Sequence, residues 1–444
     1  MAVVGVSRKN DRHPANVIFY KNHLRQTVDV YAVNPKGGKL LGEKLYPDVA
    51  SVPGQVDLAV IAVRAAQVPG VLADCARAGA KSAAVISGGF AEVGREDLQD
   101  EISAIAADAG MPMLGPNCLG IYAPGYADTF FLPPERMIRP EQGNVALVSQ
   151  SGGILVDQMI KFADEGVGLS LAVSIGNKAM IRERDLLAYL TEDDKTRVIA
   201  FYVEGFGKGE GRAFVHQARD AGKPIIILKA GKSAAGTQAV SSHTAALAGD
   251  YNVFSSVMAQ FGVVEAKNEL ELVSFCEALS CYDKPLSGRA AILTGSGGHG
   301  AMAVDECARL GIETPALSSA LAEKVRAGLS EPVSSIASLK NPIDLTGSAV
   351  DDDFVHAVST LSDSSEVDCV LLLLLPYLPG VTSDLGARLS AVFRRKGKPL
   401  AAYVPRLEKY RMLIEGFELN RVPVAPSIDG AVLMVEALRR CAPC

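Results

Sequence analysis

The stretch GNVALVSQSGG, residues 143–153, holds the pattern on which the fold of this chain depends. An apolar run ends in Ser149, one residue follows, and Ser151, Gly152 and Gly153 then lead into a segment with apolar residues at helical spacing. The run predicts a buried strand, and the glycines allow a tight turn into a helix. Because the first N–H groups and the positive dipole end of a helix attract anions, the turn also predicts a phosphate site.

The same pattern occurs a second time, 145 positions further along, where GRAAILTGSGG begins at Gly288. Here the strand ends in Thr294, and Ser296, Gly297 and Gly298 stand at the turn. One such turn would be weak evidence, since many strand-to-helix connections contain glycine. Two matching turns favour phosphate binding over turn geometry alone.

Apolar, β-branched runs alternate with amphipathic segments along the whole chain, which is typical of parallel sheets covered by helices on both faces. The predicted strands are AVVGV, VDVYAVN, VDLAVIAV, SAAVIS, NVALVS, LSLAVSIG, VIAFYVE, PIIILKA, AAILTG, CVLLLLLP and PLAAYVP. Segments rich in Pro, Gly and charge at residues 132–143 and 282–288 mark boundaries. We therefore predict an α/β protein of three consecutive doubly wound domains, at residues 1–130, 140–284 and 285–444.

Composition and charge exclude several classes of protein. The chain has 444 residues, of which 48% are hydrophobic, and its net charge of −6 argues against general nucleic-acid binding. The longest aliphatic run, residues 370–375, is too short to cross a bilayer, and the start of the sequence lacks a signal peptide. Eight scattered cysteines fit reduced thiols, so we expect a cytoplasmic protein that binds neither membrane nor nucleic acid.

Polar and basic residues follow the first two strands. Gly5 and Ser7 stand where a dinucleotide-binding fold places its phosphate turn, but Ser7 and Asn10 occupy the second and third glycine positions of that motif, so an NAD site is not expected. Arg8 and Lys36 lie just past the strand ends, where ligands of open α/β sheets bind. They are either contacts for a phosphorylated ligand or solvated surface charges.

His243 lies among small side chains in AVSSHTAALAG, residues 239–249. The preceding residues 231–242, GKSAAGTQAVSS, form a long run of small and polar residues that predicts a mobile functional arm. The alternative is a surface histidine at a helix cap. Glu204, at the end of the strand VIAFYVE, can accept a ring N–H of a histidine and leave the other ring nitrogen as a nucleophile, although alone it also fits a surface charge.

Taken together, these segments resemble the alpha subunit of NDP-forming acyl-CoA synthetases, the family of succinyl-CoA synthetase and ADP-forming acetyl-CoA synthetase. GVSRKN, VNPKGG, SGGFAEVG and GPNCLG are similar to its CoA-binding domain, VSQSGG, YVEGF and SSHTAALAG to its ligase domain, and LTGSGGHG and NPIDLTG to its third domain. The resemblance implies a Rossmann-like CoA-binding domain followed by two flavodoxin-like ligase domains. It also implies the reaction carboxylate + CoA + NTP ⇌ acyl-CoA + NDP + phosphate, without specifying the acid or the nucleotide.

The resemblance assigns roles to individual residues of this sequence. His243 is implied as the transient phosphoryl carrier and Glu204 as the residue that orients it. The implied phosphate-binding residues are Ser151, Gly152 and Gly153 in the ligase domain and Ser296, Gly297 and Gly298 in the third domain. The implied CoA contacts are Gly5, Ser7, Arg8, Asn34, Pro35, Lys36, Ser87, Gly88, Gly89, Phe90 and, at the thioester end, Asn117. No metal site is expected in this chain.

No segment of the sequence remains for the ATP-grasp domain of the family. The resemblance therefore implies a partner, either a beta subunit or a further part of a fused enzyme, that binds ATP or ADP with Mg²⁺. The chain also departs from the family pattern, with Arg64 where Pro is frequent and Met180 where an Asp is usual nearby. Two alternatives stay open: a CoA-binding regulatory or scaffold protein of the same fold without turnover, and an acyl or carbamoyl phosphate transferase that needs no nucleotide domain.

Overall fold

The computed structural model describes residues 1–243 and 250–441, and for residues 241–243 only the backbone. Within this part the strands form three sheets, and the chain divides into two compact units, Met1–Lys267 and Asn268–Cys444. The first unit holds two seven-stranded sheets and the second unit one five-stranded sheet. Each strand predicted from an apolar run is present, which confirms the predicted α/β class.

The first sheet is built from strands and helices that alternate along residues 1–114. Its strands are β1 (Ala2–Val4), β2 (Tyr31–Val33), β3 (Gly38–Leu40), β4 (Glu43–Tyr46), β5 (Ala59–Ile61), β6 (Ala83–Val85) and β7 (Met113–Leu114). Its helices are α1 (Pro14–Arg25), α2 (Val68–Arg77) and α3 (Glu96–Asp108). The order is β3-β4-β2-β1-β5-β6-β7, and only β3 and β4 pair antiparallel. The order reverses at β1, as in Rossmann-like folds, whose ligands bind outside the carboxyl ends of the strands at that point.

The second sheet has a parallel centre and an antiparallel edge. Its strands are β8 (Gly120–Ala123), β9 (Ala127–Asp128), β10 (Gln142–Ser149), β11 (Leu169–Ser174), β12 (Val198–Val203), β13 (Ile225–Lys229) and β14 (Val264–Ala266). Its helices are α4 (Gly152–Asp164), α5 (Glu183–Glu192), α6 (Glu210–Arg219), α7 (Ala234–His243) and α8 (Tyr251–Gln260). The order is β14-β13-β12-β10-β11-β8-β9, with β8 and β9 antiparallel to their neighbours. The parallel strands follow the flavodoxin-like order, with the reversal at β10.

The third sheet repeats the flavodoxin-like order in the second unit. Its strands are β15 (Ala290–Thr294), β16 (Ile343–Asp344), β17 (Cys369–Leu373), β18 (Leu400–Tyr403) and β19 (Val424–Ala425), in the parallel order β16-β15-β17-β18-β19. The helices are α9 (Glu269–Cys281), α10 (Gly297–Leu310), α11 (Ser319–Ala327), α12 (Glu331–Ile336), α13 (Asp351–Asp363), α14 (Leu385–Lys396), α15 (Arg411–Glu418) and α16 (Ile428–Arg440). The predicted Rossmann-like sheet followed by two flavodoxin-like sheets is thus confirmed.

The aliphatic run at residues 370–375 lies in β17 and the residues that follow it, and its side chains are buried. A strand in the middle of a parallel sheet is covered on both faces, which explains a run without polar alternation. Across the described residues, no helix is both long enough and apolar enough to cross a membrane.

The first two sheets share one compact unit because a segment that follows β11 pairs with the residues at the end of β7. The amide of Asn177 donates to the carbonyl of Pro116 at 2.9 Å, and the amide of Ala179 donates to the carbonyl of Gly115 at 3.1 Å. Gly176 lies against the same backbone. Residues of the first predicted domain are thereby held beside residues of the second.

Helix α9 lies in the second unit, although the prediction placed residues up to 284 with the second domain. The carboxylate of Glu277 accepts the amide of Val424 at 2.6 Å, and the hydroxyl of Tyr282 donates to the carbonyl of Leu400 at 2.7 Å. Both partners belong to or adjoin strands of the third sheet. The boundaries 1–130, 140–284 and 285–444 stay a prediction about domains, whereas the compact units divide after Lys267.

The segment predicted as a mobile arm is helical in its described part. Residues Ala234–His243 form α7, and the hydroxyl of Ser233 accepts the amide of Gly236 at 3.1 Å in the manner of a helix N-cap. Alanine is a strong helix former, which accounts for the helical backbone here; the mobility of the arm stays a prediction. His243 is the last residue of α7; its side chain and residues 244–249 lie outside the described residues.

Candidate active site

The predicted CoA contacts that follow β1 and β2 lie at the carboxyl edge of the first sheet. The side-chain amide of Asn34 donates to the carbonyl of Val6 at 2.6 Å and so joins the two strand ends. Gly5 has φ +104°, and a Cβ there would overlap the carbonyl of Ala62, just past β5. Only glycine combines this conformation with so close an approach of two strand ends. Gly5 is thus required by the backbone, whatever ligand binds.

The cations predicted to meet phosphates stand at the same edge and are exposed. The guanidinium of Arg8 lies beside the turn after β2, where a Cβ on Gly38 would be 3.6 Å from its central carbon. The amide of Lys36 donates to the side-chain oxygen of Asn34 at 2.8 Å, which shapes this turn, and Pro35 within it is exposed. The hydroxyl of Ser7 accepts the amide of Asn10 at 3.1 Å, so it caps its own turn.

In the turn at residues 87–90, the structure differs from the prediction at Phe90. The hydroxyl of Ser87 donates to the carbonyl of Val63, and Gly88 is exposed at the mouth of the turn. The side chain of Phe90, however, is fully buried in the core beneath the first sheet. Phe90 as a whole is 0% exposed and its amide donates to the carboxylate of Glu92, so the structure does not support the predicted contact between Phe90 and a ligand.

A polar chain links this turn to Asn117. The carboxylate of Glu92 accepts the amides of Gly89 and Phe90 and the side-chain amide of Asn177, and Asn117 in turn donates to Asn177 at 3.3 Å. Burial acts to raise the pKa of Glu92, but the hydrogen bonds from Gly89 and Asn177 outweigh it and hold the pKa below its ordinary value. Neither Glu92 nor Asn177 was among the predicted site residues, although Glu92 stands inside SGGFAEVG, because a contact between residues 85 positions apart leaves no pattern in the sequence.

The helix start predicted to bind phosphate is open in the structure. Ser151 is the N-cap of α4, and its hydroxyl accepts the amide of Ile154 at 3.4 Å. The amides of Gly152 and Gly153 have no such side-chain cap in that helix turn, and a Cβ on Gly153 would meet no described atom within 4 Å. Gly152 packs beside Leu119 and Gly153 is exposed, so this helix start is accessible on the Gly153 side, and an accessible helix start can bind an anion.

The second predicted phosphate turn repeats this geometry at the start of α10. The hydroxyl of Thr294 bonds with the amide and carbonyl of Ser296, as the hydroxyl of Ser149 does with those of Ser151. Here Ser296 does not cap its helix but bonds His299 at 3.1 Å.

A carboxylate also faces the second turn. A Cβ on Gly297 would lie 3.1 Å from a carboxylate oxygen of Asp344, whereas Gly298 has more room. The two turns share the hydrogen bonds between the last strand residue and the serine, but they differ in the residues around them. The turn at α10 belongs to the second unit.

A cleft of about 690 Å³ in the first unit gathers much of the predicted site. Of the predicted residues it brings together Ser87, Gly88, Asn117, Ser151, Gly152, Gly153 and Glu204. It also includes residues that the sequence analysis did not assign, among them His13, Arg64, Gln150 and Asn177. Arg64 departs from the family pattern and Gln150 stands inside VSQSGG, so both had a signal in the sequence.

Glu204 lies just past β12, beside the phosphate-binding turn. Its amide donates to the side-chain oxygen of Gln150 at 2.6 Å, and its carbonyl accepts the ammonium of the buried Lys229 at 2.7 Å. Burial lowers the pKa of Lys229, and the negative charge of Glu204 acts in the opposite direction. The carboxylate of Glu204 is thus half-buried in a cleft that contains an anion-binding helix start, which suits a group that orients a histidine.

Two histidines outside the cleft have structural neighbours that fit ordinary roles. The ring of His216 packs edge-on against Phe261 at 4.9 Å, and His356 bonds the carbonyl of Lys324 at 3.1 Å. Among the described residues, no group of three or more His, Cys, Asp or Glu side chains is arranged to hold a metal ion.

Comparison with known protein families matches two segments of the chain. Residues 1–124 match the CoA binding domain, and residues 142–279 match the succinyl-CoA ligase like flavodoxin domain. These segments contain the first sheet, every strand of the second sheet except β9, and all the cleft residues except Phe131.

Individual relatives match over greater length. The chain is 40% identical over 382 residues to an ADP-forming acetate–CoA ligase I of Archaeoglobus fulgidus, which covers 85% of this chain and 54% of that protein. It is 33% identical to the alpha subunit of ADP-forming acetate–CoA ligase I of Pyrococcus furiosus, with 99% of this chain and 95% of that subunit covered. The chain therefore spans about half the length of the first relative and nearly all of the second.

A solved structure shows the same fold. Acetyl-coenzyme A synthetase 1 of Ca. Korarchaeum cryptofilum, determined in complex with phosphate and ADP, superposes with a TM-score of 0.88 at 32% identity. The match covers 99% of this chain and 94% of that chain.

Proposed function

The chain belongs to the family of ADP-forming acyl-CoA synthetases, as the alpha part, and on this premise we propose that it catalyses the acyl-CoA half of the reaction carboxylate + CoA + NTP ⇌ acyl-CoA + NDP + phosphate. One observation carries the proposal: a single cleft contains the open helix start at Gly152 and Gly153, the carboxylate of Glu204, and Asn117 at the predicted thioester end. Such a cleft can hold a thioester and a phosphate side by side.

In the proposed first step, an oxygen of inorganic phosphate attacks the thioester carbon. The carbon–sulfur bond breaks, CoA leaves as a thiol after taking up a proton, and acyl phosphate forms. Gly152 and Gly153 stabilise the phosphate through helix amides, and Ser151 shapes that turn. A ring nitrogen of His243 then attacks phosphorus, so that the carboxylate leaves and phosphohistidine remains.

In the second part of the proposal, the carboxylate of Glu204 accepts the other ring N–H of His243. This contact fixes the tautomer and stabilises the positive charge that develops on the ring. The phosphoryl group then passes to NDP on a partner, and the turn at Ser296, Gly297 and Gly298 contributes a second helix start for it. The carboxylate of Asp344 faces Gly297 in this second turn.

The proposed partner is an ATP-grasp part, as a beta subunit or as a further part of a fused chain, where ATP or ADP would bind with Mg²⁺. The support is that the chain spans almost the full length of a separate alpha subunit but only 54% of a longer relative. A cytoplasmic location belongs to the proposal, because ATP and CoA are available there.

We expect the 444-residue chain alone to bind CoA but neither to make nor to hydrolyse ATP. The carboxyl edge of the first sheet and the cleft are complete within the chain, whereas the nucleotide site is proposed for the partner. Thermal shift with a panel of CoA thioesters measures binding, since a ligand stabilises a protein according to its affinity. ATP-dependent thioester formation by the pure chain would refute the proposal that the nucleotide site lies on a partner. Turnover of acyl phosphate and CoA without any partner would favour the transferase alternative.

We expect Arg8→Ala or Lys36→Ala to weaken CoA binding by about 1–3 kcal/mol, the scale of a charge-assisted hydrogen bond. Both cations are exposed at the carboxyl edge of the first sheet. Dephospho-CoA separates the roles, since its affinity should change less in the variant that loses the contact with the 3′-phosphate.

The matched control for this experiment is Lys81→Ala. Lys81 precedes β6, at the opposite edge of the same sheet, and pairs with Asp57 at 2.7 Å. Its replacement removes one exposed cation without touching the proposed site. If all three variants bind CoA with the affinity of the wild-type chain, Arg8 and Lys36 are solvated surface charges.

A further inference from the structure

Gln150 stands between the two halves of the proposed site and is bonded to the loop that carries Glu204. Ser149 pairs with Tyr202 at the end of the β10–β12 ladder, and the amide of Gln150 still donates to the carbonyl of Tyr202 at 3.2 Å. Past the last paired residues, the side chain of Gln150 supplies the hydrogen bonds between the segment after β10 and the segment after β12. Its oxygen accepts the amides of Glu204 at 2.6 Å and of Gly205 at 3.2 Å.

The side-chain nitrogen of Gln150 donates to two acceptors on the other side. One is the carbonyl of Gly205 at 2.8 Å, and the other is a carboxylate oxygen of Glu183. Two N–H groups thus face the oxygen and two acceptors face the nitrogen. The orientation of the amide is therefore determined by its partners, because the reversed amide would place like groups together at each contact.

An ion pair between the partly exposed Lys178 and the buried Glu183 holds Gln150 in this orientation. The ammonium of Lys178 contacts the carboxylate of Glu183 at 2.7 Å and donates to the carbonyl of Gly205 at 2.6 Å. Glu183 is 2% exposed and is the first residue of α5, where the helix dipole favours a negative charge. An ionised Glu183 accepts hydrogen bonds only, so it requires the N–H side of the Gln150 amide.

We propose that Gln150 is a positioning residue that holds the Glu204–Gly205 backbone in register with the phosphate-binding turn. Gln150 directly precedes Ser151, the N-cap of α4, so a shift of Gln150 moves both the anion-binding amides and the backbone of Glu204. The inference rests on the proposed function, since Glu204 matters through the histidine that it orients. Lys178 and Glu183 act through Gln150 and Gly205.

The test measures how fast the full chain acquires a phosphoryl group on His243 from acetyl phosphate. Gln150→Met keeps the length of the side chain but removes its four hydrogen bonds, and Gln150→Ala removes the side chain. Each should slow labelling by about tenfold or more, the consequence expected when a reacting group is held less accurately. The thermal shift caused by CoA should stay within about twofold of wild type in apparent affinity, because the CoA contacts are elsewhere.

The control variant is Gln217→Ala on α6. It also loses a hydrogen bond from a glutamine side chain to a backbone carbonyl, that of Arg184 at 3.1 Å, in the same unit. Labelling in Gln217→Ala should match wild type. If both Gln150 variants label as fast as Gln217→Ala, the inference is wrong.

A double-mutant cycle separates positioning from a general structural role. If Gln150 acts through Glu204, Gln150→Met should slow the Glu204→Gln enzyme by less than about threefold, since two changes along one path are not additive. Equal slowing in both backgrounds overturns the inference. So does unfolding of both Gln150 variants, because Gln150 would then support the unit as a whole. If the wild-type chain acquires no label, the proposed function is wrong, and so is the inference that rests on it.

Discussion

Replacement of His243 by alanine is expected to abolish the acid-labile, base-stable phosphoryl group that the chain acquires from acetyl phosphate or from acyl-CoA and phosphate. The expectation rests on the SSHT motif and on Glu204, whose half-buried carboxylate lies in the same cleft as the open helix start. The serious rival is His299, which follows the second glycine turn. His299 is bonded to Ser296 at 3.1 Å within the first turn of α10, which holds its ring at the start of that helix.

Labelled phosphate and phosphopeptide mapping check this prediction. His299→Ala is the matched variant and should keep at least part of the label, since it changes the other phosphate turn without removing the nucleophile. Intact labelling in His243→Ala, or a labelled peptide that contains His299, would contradict the assignment of the carrier.

The same assay tests the role of Glu204. Glu204→Gln keeps the shape of the side chain but removes the negative charge that stabilises a protonated histidine ring. Labelling should be slower by about 10²-fold or more, the scale for the loss of an oriented acid–base partner. An unchanged rate would leave Glu204 as a surface charge at a strand end.

Gly176→Ala is expected to destabilise the first unit by about 3 kcal/mol or more, the sum of left-handed strain and steric overlap in a packed site. Gly176 has φ +56°, and a Cβ there would overlap the carbonyl oxygens of Pro116 and Asn117. All the overlapped atoms are backbone, so no side chain can move aside. The overlap falls where the residues after β11 pair with those after β7, so the variant should loosen the joint between the first two sheets.

Urea unfolding of the full chain measures the effect as a lowered midpoint. Gly79→Ala serves as the control, because Gly79 has φ +77° but a Cβ there would meet no described atom within 4 Å. This variant isolates the backbone strain and should cost only about 1 kcal/mol. Equal destabilisation by the two substitutions would mean that the backbone at Gly176 moves to accept a side chain. It would also mean that the joint is not rigid.

The α/β class, the long strands and the order of the functional segments were determined by the sequence itself. The runs that became β12 and β17 are apolar throughout, and those that became β13 and β15 are apolar except at their last residue, because central parallel strands are covered on both faces and need no polar alternation. The two turns at Ser151 and Ser296 were also predictable, and the structure gives them the same local hydrogen bonds. Local sequence decides such features, since the residues that form them are neighbours in the chain.

The short strands and the boundary of the compact units were not predictable in this way. Strands such as β7, β9, β16 and β19 contain two residues each, too few for a periodic pattern. They exist because a longer strand offers them a free edge. The place of helix α9 in the second unit also depends on distant contacts. Glu277 and Tyr282 form hydrogen bonds with strands more than a hundred residues away in the chain.

In the candidate site, too, some residues were predictable from the local sequence and others only from the tertiary structure. The sequence alone singled out Ser151, Gly152, Gly153 and Glu204, because each stands at a recognisable strand end. Gln150 stands inside the VSQSGG motif, but its contacts with Lys178, Glu183 and Gly205 became evident only in the structure, where three separate segments meet. A buried polar network depends on distances between segments distant in the chain, and those distances follow from packing and not from the spacing of residues.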